Sequence, residues 1–250
     1  MPAPPRILTI AGSDSSGGAG VQADIKTITM LGGYAMTAIT AVTAQNTLGV
    51  QAVEVLSPGL VAAQIDACLG DIGVDAVKIG MLGSAEIAVV VAERLARLRV
   101  PIVFDPVMVA TSGAALADAP TMAAFAQLIG IATLVTPNLP ELAALGGAAH
   151  LAHLAKAVLI KGGHGEGETL IDRLITSDGE MARWEDSRID TRHTHGTGCT
   201  LSAAITTGLG QGMALEAAIA RARMFVRAAL EAAPGFGRGH GPLGHAAVRL

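Results

Sequence analysis

Residues 193–204 read His-Thr-His-Gly-Thr-Gly-Cys-Thr-Leu-Ser-Ala-Ala, a glycine turn that leads directly into an apolar segment of helical composition. Gly196, Thr197 and Gly198 would stand at the start of this helix, where backbone N–H groups have no partner within the helix. Because glycines remove side-chain bulk, several of these N–H groups can converge on one oxyanion, and the positive end of the helix dipole adds to the attraction. The stretch therefore predicts an anion-binding helix start.

Cys199 lies in the first turn of the same predicted helix. A thiol at a helix N-terminus tends to have a lowered pKa, which makes Cys199 a candidate base or nucleophile. The alternative is an ordinary glycine turn before a helix that carries a buried cysteine. Taken alone, this stretch leaves both interpretations open.

Around this stretch the chain is strongly apolar. Hydrophobic residues make up 51% of the 250 residues and charged residues only 15%, so many segments must be covered on both sides, as the strands of a parallel sheet are. No Pro/Ser-rich or charged stretch interrupts this pattern. We therefore expect one domain that covers residues 1–250.

Charge and cysteine content bear on partners and location. A net charge of −4 and a pI near 5.9 argue against binding to nucleic acid or an anionic membrane, both of which select basic patches. Cys68 and Cys199 are the only cysteines, too few for a disulfide framework, which favours the cytoplasm. The apolar run at residues 7–11 is too short for a signal-peptide core, and no run reaches membrane-spanning length.

Short apolar runs alternate with longer segments of helical period, which indicates strand-helix-strand units and an α/β fold. Seven runs, most of them rich in β-branched residues, are predicted strands: residues 6–11, 34–42, 51–56, 75–79, 100–105, 132–136 and 158–161. Residues 85–98 and 215–230 each place an apolar stripe on one helical face. Alternating runs in residues 168–190, with a turn signal at Asp178-Gly179, predict antiparallel strands at a sheet edge.

The loop after the first predicted strand, residues 12–20, reads Gly-Ser-Asp-Ser-Ser-Gly-Gly-Ala-Gly. In parallel sheets the functional loops gather beyond the carboxyl ends of the strands. This loop is not a Walker A loop, because Gly18 and Ala19 stand where Lys and Ser/Thr are required. Its glycines can instead let the backbone approach a small substrate. The alternative is a flexible turn capped by Ser16.

Polar side chains stand at three further strand ends. Asp105 ends one predicted strand, Asn138 and Glu141 follow the next, and Lys161 ends a third. Carboxylates in such positions can hold Mg²⁺ as it bridges ATP phosphates, and a lysine can face those phosphates. Alternatively, Asn138 and Glu141 have the spacing of a helix capping box, and the two roles can coexist. No His-Cys spacing indicates a zinc site.

Six motifs in order resemble one family. They are residues 11–20 (Ala-Gly-Ser-Asp-Ser-Ser-Gly-Gly-Ala-Gly), 43–47 (Thr-Ala-Gln-Asn-Thr), 78–81 (Lys-Ile-Gly-Met), 105–108 (Asp-Pro-Val-Met), 161–164 (Lys-Gly-Gly-His) and 195–200 (His-Gly-Thr-Gly-Cys-Thr). Together they resemble the hydroxymethylpyrimidine/phosphomethylpyrimidine kinases of the ribokinase-like superfamily, over about residues 6–245. The resemblance implies a three-layer α/β/α sandwich with a mainly parallel sheet and a few antiparallel edge strands. It also implies ATP- and Mg²⁺-dependent phosphorylation of the thiamine pyrimidine precursor, first at its hydroxymethyl oxygen and then at the resulting phosphate.

The resemblance further assigns roles by position. Gln45 is similar to the residue that reads the pyrimidine ring, since its amide can pair with both a donor and an acceptor. The other implied positions are Gly12, Ala19, Asp24 and Met81 in the substrate pocket, Gly196, Thr197, Gly198 and Cys199 in the anion hole, Asn138, Lys161 and Thr194 at the nucleotide, and Asp105 and Glu141 at the metal. Cys199 stands where sugar kinases of the superfamily have a catalytic Asp. A loose transition state tolerates this weaker base, because positioning and charge neutralisation outweigh deprotonation. A cytoplasmic homodimer is also implied.

Two segments depart from the family pattern. Residues 146–157 are shorter than the crossover helix that the family leads us to expect, which predicts looser packing there. Residues 172–175, Asp-Arg-Leu-Ile, are an unusual sequence for the edge strands, and they leave the nucleotide rim undefined.

Three other functions compete with this kinase. A pyridoxal kinase shares the cysteine and accepts a similar aromatic ring with a hydroxymethyl group. A catalytically silent ligand-binding protein could use the same fold, although it would not need an intact phosphate cradle, thiol and carboxylates. A cysteine hydrolase would need a His with a partner Asp beside Cys199, which the sequence does not place.

Overall fold

A computed structural model of the protein describes residues 3–110, 113–164 and 167–249. Its nine strands form one sheet in the order β3-β2-β1-β4-β5-β6-β7-β8-β9. They are β1 (Arg6–Asp14), β2 (Tyr34–Asn46), β3 (Gly49–Val55), β4 (Ala76–Ile79), β5 (Ile102–Phe104), β6 (Leu134–Val135), β7 (Val158–Ile160), β8 (Thr169–Thr176) and β9 (Gly179–Ser187). Strands β1, β2 and β4 to β7 are parallel, whereas β3, β8 and β9 pair antiparallel at the two edges.

Eight α-helices connect these strands within the described residues. They are α1 (Gly20–Met30), α2 (Pro58–Ala67), α3 (Ala85–Leu95), α4 (Ala119–Ile131), α5 (Leu139–Ala144), α6 (Gly147–Leu154), α7 (Thr197–Gly210) and α8 (Leu215–Glu231). A π-helical turn at Cys68–Ile72 follows α2, and 3₁₀ turns occupy Gly162–His164 and His245–Ala247. No helix among the described residues is long and apolar enough to cross a membrane.

Alternate residues of the strands face opposite helical layers. On β5, Ile102 and Phe104 pack into a core with α2, α3, α4 and α6, whereas Val103 packs into a second core with α7 and α8. Helices α1 and α7 meet through Ile28 and Ala203 on that second side. The protein is therefore the predicted three-layer α/β/α sandwich, in which the central strands β1 and β4 to β7 are buried on both faces and the edge strands β3 and β9 are largely exposed.

All seven strands predicted from apolar runs are present, and so is the edge hairpin around Asp178-Gly179. The largest differences lie at strand ends. Strand β1 continues to Asp14 and β2 to Asn46, because the polar residues after each apolar run still pair, Ser13 with Val42 and Asp14 with Thr43. Helix α3 ends three residues before the predicted residue 98.

The short segment at residues 146–157 forms the two-turn helix α6. Its Leu151 is fully buried in the core, so the helix does cover the sheet. Open grooves of about 400 Å³ and 380 Å³ nevertheless run along its two sides, one towards the edge hairpin and one towards α4. The short connection therefore leaves a groove on each side of α6, while the strand residues beneath it, such as Val158 and Ile160, remain buried.

Residues 235–244 follow α8 and cross the end of β2. The N–H of His240 donates to Thr47 O at 2.9 Å, and the N–H of His195 donates to Gly241 O at 3.1 Å. A Cβ at Gly239 would lie 2.0 Å from Thr47 O, so only glycine permits this close approach. We call residues 235–244 the glycine strap; it ties the β2–β3 turn to the chain just before α7.

His245, directly after the strap, anchors the first turns of α7. It is only 2% exposed, and its Nε2 lies 2.8 Å from Thr200 Oγ1. Burial lowers the pKa of His245 to about 4, and the charge of Lys26 acts in the same direction. The imidazole is therefore neutral near pH 7, where it can share a hydrogen bond with Thr200.

We predict that His245 makes the protein less stable in mild acid. Its pKa is lower in the folded protein than the value of 6.5 expected in the unfolded chain, so the unfolded chain binds the extra proton first. The stability that this group contributes is complete above pH 6.5 and is lost as the pH falls towards 4, by up to about 3 kcal/mol. Denaturant unfolding of wild-type and His245→Gln protein across this range should show a shallower pH dependence for the variant. Equal slopes would contradict the assignment.

Candidate active site

The candidate site lies beyond the carboxyl ends of the parallel strands, where the loop after β1 meets the start of α7. Gly196 is the N-cap of α7 and has a left-handed backbone with φ 87°. A Cβ at this position would lie 1.9 Å from Gly18 O, so both the conformation and the contact require glycine. The two glycine-rich motifs of the sequence therefore touch through their backbones.

The first turn of α7 presents free backbone donors. The N–H of Thr200 bonds to Gly196 O, whereas the N–H groups of Gly198 and Cys199 donate to no acceptor among the described residues. A Cβ at Gly198 would lie 3.4 Å from Lys161 Nζ and 3.5 Å from Asp105 Oδ2. The predicted anion-binding helix start is therefore present and faces a lysine.

Lys161 lies between two carboxylates at the ends of β5 and β6. Its Nζ is 2.6 Å from Asp105 Oδ1 and 3.9 Å from Glu141 Oε2. Thr136 Oγ1 donates to the same Asp105 oxygen at 3.1 Å, so Asp105 Oδ2 remains on the side of Gly198. Burial alone would lower the pKa of Lys161, but Asp105 and Glu141 outweigh it and hold that pKa above its usual value. The lysine is therefore a fixed cation beside the helix start.

Asn138 and Glu141 form the capping box of α5, the alternative considered for these residues. Asn138 Oδ1 accepts from Glu141 N–H, and Glu141 Oε2 accepts from Asn138 N–H, both at 2.8 Å. The cap also holds Glu141 beside Lys161. Burial raises the pKa of Glu141, against the attraction of Lys161. The cap therefore positions the carboxylate instead of excluding it from a metal role.

The described residues contain no group of three or more His, Cys, Asp or Glu that could enclose a metal ion. Mg²⁺ does not need such a cage, because it commonly uses one or two protein carboxylates with phosphate oxygens and water. Asp105 and Glu141, which share Lys161 as a neighbour, fit that requirement. A metal at this site would therefore depend on the phosphates of a bound nucleotide.

Asp14 organises the loop after β1. Its carboxylate accepts hydrogen bonds from Ser16 and from the N–H groups of Gly18 and Ala19, and His195 Nε2 lies 2.8 Å from Asp14 Oδ2. Burial alone would raise the pKa of Asp14, but the hydrogen bonds from His195, Ser16 and the backbone keep it below its usual value. The contact between Asp14 and His195 thus joins the loop after β1 to the chain directly before Gly196.

Gln45 lies beside this loop, at the end of β2. Its Nε2 is 3.4 Å from His195 Nε2, and its Oε1 is 3.2 Å from Thr43 Oγ1. The side chain is half-buried, so part of its amide remains accessible. The structure therefore places Gln45 next to His195, directly before the start of α7.

Gly12, Ala19 and Met81 line the same loop. A Cβ at Gly12 would meet Met81 Sδ at 2.9 Å, so the thioether packs directly on the glycine. Ala19 is the N-cap of α1 and donates its N–H to Asp14. These three predicted pocket residues are therefore brought together by one loop and the end of β4.

Asp24 lies behind the pocket. It is fully buried and pairs with the equally buried Lys78, whose Nζ is 2.9 Å from Asp24 Oδ2, while Thr9 donates to the same oxygen. Burial alone would lower the pKa of Lys78, but Asp24, Cys199 and Asp105 raise it, so the ammonium stays charged. Asp24 acts on the site through Lys78, from a position with no exposed surface.

The expectation of a low thiol pKa for Cys199 is wrong. Burial raises the pKa of Cys199 to about 11, and the nearby charge of Lys78 only partly offsets this. Burial disfavours the thiolate, and the negative charges of Asp24 and Asp105 act in the same direction. Cys199 is therefore a protonated thiol near pH 7 and not a preformed base.

Thr194 lies two residues before the N-cap of α7. Its carbonyl oxygen accepts from the N–H and the hydroxyl of Thr197, and its own hydroxyl lies 3.5 Å from His240 Nδ1 on the glycine strap. The backbone of Thr194 therefore shapes the helix start, and its side chain faces the strap.

Sequence reasoning gave no role to Asp14, His195 or Lys78. Asp14 had a local signal, since an Asp two residues before a Ser is typical of a turn in which the carboxylate caps the backbone. Lys78 had one as well, because a lysine within an apolar strand must find a buried partner. His195 had none, since its contact with Asp14 joins residues 181 positions apart.

Comparisons with known proteins agree with this geometry. A family described as phosphomethylpyrimidine kinase matches residues 14–244. The hydroxymethylpyrimidine/phosphomethylpyrimidine kinase of Rhizobium meliloti is 46% identical over 95% of this chain and 96% of its own length. The thiamine biosynthesis bifunctional protein ThiED of Geobacter sulfurreducens is also 46% identical, over 96% of this chain, which spans about half (52%) of that protein. The pyridoxal kinase of Bacillus subtilis, solved as an ADP complex, has a TM-score of 0.88, 35% identity and 97% coverage of both chains.

The raised pKa of Cys199 predicts slow alkylation at neutral pH. Iodoacetamide reacts with the thiolate, so the labelling rate of Cys199 should still rise above pH 9, the ordinary pKa of a cysteine, towards the value of about 11. Peptide mass mapping after timed labelling measures the rate for each cysteine, and denatured protein provides the reference. A rate that already levels off below pH 8 would show that the helix dipole and Lys78 prevail.

Proposed function

This chain belongs to the phosphomethylpyrimidine kinase family and is a phosphotransferase, and we propose that it phosphorylates 4-amino-5-hydroxymethyl-2-methylpyrimidine with ATP. In a second round it converts the monophosphate to the diphosphate, and both steps serve thiamine biosynthesis. The relatives named above support the substrate, since two of them are named for this kinase or for thiamine biosynthesis.

One observation carries the chemistry. The free N–H groups of Gly198 and Cys199 and the ammonium of Lys161 approach the same space at the start of α7. Phosphoryl transfer through a loose transition state spreads negative charge over three oxygens, and catalysis consists mainly of positioning and stabilising that charge. Gly196, Thr197, Gly198 and Cys199 form the anion hole in this proposal.

Lys161, Asn138 and Thr194 surround the space that the phosphates of ATP would occupy. Mg²⁺, when bound by Asp105 and Glu141 through the phosphates, supplies neutralisation of their charge. Lys161 contributes a positive charge from the protein itself, held in place by Asp105 at 2.6 Å. This cluster therefore orients the terminal phosphoryl group towards the helix start.

On the other side of the helix start, Gln45 pairs with the edge of the pyrimidine ring. Met81, which packs on Gly12, supplies an apolar contact for the ring, and Asp14 holds the loop that carries Ala19. The hydroxymethyl group then points towards Cys199, whose protonated thiol can guide the hydroxyl by a hydrogen bond. Because the attacking oxygen loses its proton late in such a reaction, a strong base is not required.

A pyridoxal kinase is the second candidate. The observation in its favour is the similarity to the pyridoxal kinase of Bacillus subtilis, at a TM-score of 0.88. Its substrate has an aromatic ring with a hydroxymethyl group, which the same pocket could hold. We also propose, from the family resemblance and the composition, that the protein acts in the cytoplasm as a homodimer without nucleic-acid or membrane partners.

A substrate panel tests the proposed function. Purified protein with Mg²⁺ and ATP should convert hydroxymethylpyrimidine first to the monophosphate and then to the diphosphate, detected by mass analysis of the products. Gln45→Ala should raise the KM for the pyrimidine about tenfold or more, because a paired ring edge loses its partner, and leave the KM for ATP unchanged. Higher kcat/KM for pyridoxal would favour the second candidate, and no ATP consumption with either substrate would contradict both.

Two substitutions compare how much the anion-binding start of α7 and the thiol of Cys199 each contribute to catalysis. In Gly198→Val the added methyl groups would enter the space between the helix start and the Lys161–Asp105 pair, and kcat should fall on the order of 10²–10³-fold, as when an oxyanion-hole donor is removed. Cys199→Ser keeps a hydrogen-bonding group, so we expect a loss of about tenfold or less. Steady-state kinetics measures both, with circular dichroism as the folding control, and the reverse ranking would refute it.

A further inference from the structure

Asp172, which is unusual for an edge strand, is buried in the folded protein. It lies on β8 and is only 5% exposed. Its Oδ1 accepts a hydrogen bond from the N–H of Gly162 at 2.8 Å, and its Oδ2 pairs with Arg223 of α8. One carboxylate therefore joins three parts of the protein: the edge hairpin, the last long helix and the loop that follows Lys161.

Arg223 connects this carboxylate to a second one. The guanidinium also pairs with Asp186 of β9 at 2.5 Å, and Asp186 is more exposed than Asp172, with side-chain exposures of 35% and 7%. Buried ion pairs contribute little net stability, because desolvation offsets their attraction, and apolar replacements are often equally stable. Stability alone thus gives no reason for a carboxylate at position 172.

The location of Asp172, next to the loop that follows β7, gives a reason for a carboxylate at this position. A Cβ at Gly162 would lie 2.0 Å from Ile171 O, so the loop after β7 runs directly against β8. Asp172 supplies the acceptor for the Gly162 N–H there, and Arg188, directly after β9, donates to Gly163 O at 2.9 Å. Two consecutive residues of the loop are therefore held by the edge hairpin.

Lys161 is the residue directly before this fixed loop. Its own N–H donates to Pro137 O at 2.9 Å, so the lysine backbone is fastened to the end of β6 on one side and, through Gly162, to Asp172 on the other. Its Nζ then reaches Asp105 and the start of α7. A loss of the Gly162 bond would release one of these two attachments.

We propose that Asp172 is a positioning residue for Lys161, which holds the phosphate-binding lysine in register through the N–H of Gly162. The proposal rests on the proposed function in one respect, that ATP phosphates are the ligand of Lys161. Arg223 pairs with the Asp172 oxygen that does not face Gly162, and Asp186 contacts Arg223 from the more exposed side.

Three variants distinguish a role of Asp172 in positioning Lys161 from a role in protein stability. Asp172→Ala removes both the acceptor for Gly162 and the partner of Arg223, Asp172→Asn can keep the acceptor, and Asp186→Ala breaks only the outer contact of Arg223. We expect Asp172→Ala to weaken ATP binding about tenfold and to lower kcat, since an unpaired N–H displaces the loop, while the KM for the pyrimidine stays within about twofold. Asp172→Asn should largely restore ATP affinity, and Asp186→Ala should retain it despite a lower melting temperature.

A double variant keeps the test decisive if Asp172→Ala does not fold. Asp172→Leu with Arg223→Met replaces the inner ion pair by apolar groups, which generally preserves or raises stability, but leaves Gly162 without an acceptor. ATP affinity should fall about tenfold in this variant while the melting temperature stays near that of the wild type. Equilibrium titration with ATP and Mg²⁺, without pyrimidine, measures the affinity of every variant.

The outcomes are distinguishable. Wild-type protein that binds no ATP would contradict the proposed function itself. Wild-type protein that binds ATP, with the same affinity in Asp172→Ala or the double variant as in Asp186→Ala, would overturn only the positioning role. An equal loss in Asp172→Asn and Asp172→Ala would also overturn it, because the acceptor towards Gly162 would then not be the group that matters.

Discussion

The site depends on a contact between two backbones that have no side chains at the point of contact. Gly196, with its left-handed backbone, starts α7 against the carbonyl of Gly18, where a Cβ would lie 1.9 Å from the oxygen. This approach brings the loop that surrounds Gln45 next to the free N–H groups of Gly198 and Cys199. A substrate alcohol and a transferring phosphoryl group must lie within about 3–3.5 Å of each other to react. The close packing of the two main chains brings the space beside Gln45 near the start of α7.

Charges are distributed around this contact at different depths. The Lys78–Asp24 pair lies completely buried beneath it, and Lys161 lies at its rim between Asp105 and Glu141. Each lysine is paired with a carboxylate, so both keep their positive charge where burial would otherwise remove it. The carboxylates therefore balance both lysines, and the free N–H groups of Gly198 and Cys199 are the donors at the helix start that no acceptor among the described residues occupies.

The order of strands and helices could be predicted because short apolar runs and apolar helical stripes are local patterns. The proximity of Lys161 to the start of α7 could be expected from the sequence, because one follows a predicted parallel strand and the other carries a family motif, and the structure brings them together. Local patterns failed for Cys199: the helix start is visible in the sequence, but the burial that raises the thiol pKa depends on side chains from distant strands. The Asp14–His195 contact could not be predicted from local patterns either, because its residues are 181 positions apart. The sequence indicated only that Asp172 is unusual in an edge strand. Its role could not be predicted, because the sheet edge and α8 bring its partners Gly162 and Arg223 to it.

The glycine strap has a consequence for biosynthesis. Residues 235–244 come after α8, yet they contact Thr47 near Gln45 and the backbone of His195 just before the helix start. Domains begin to fold during translation from their N-terminal side, so the sheet can assemble while this segment is still inside the ribosome. The contacts of the strap with Thr47 and with the N–H of His195 form only after residues 235–244 have emerged, and they add to the Gly18–Gly196 and Asp14–His195 contacts. The strap is therefore the last of these segments to reach the pocket as the chain is made.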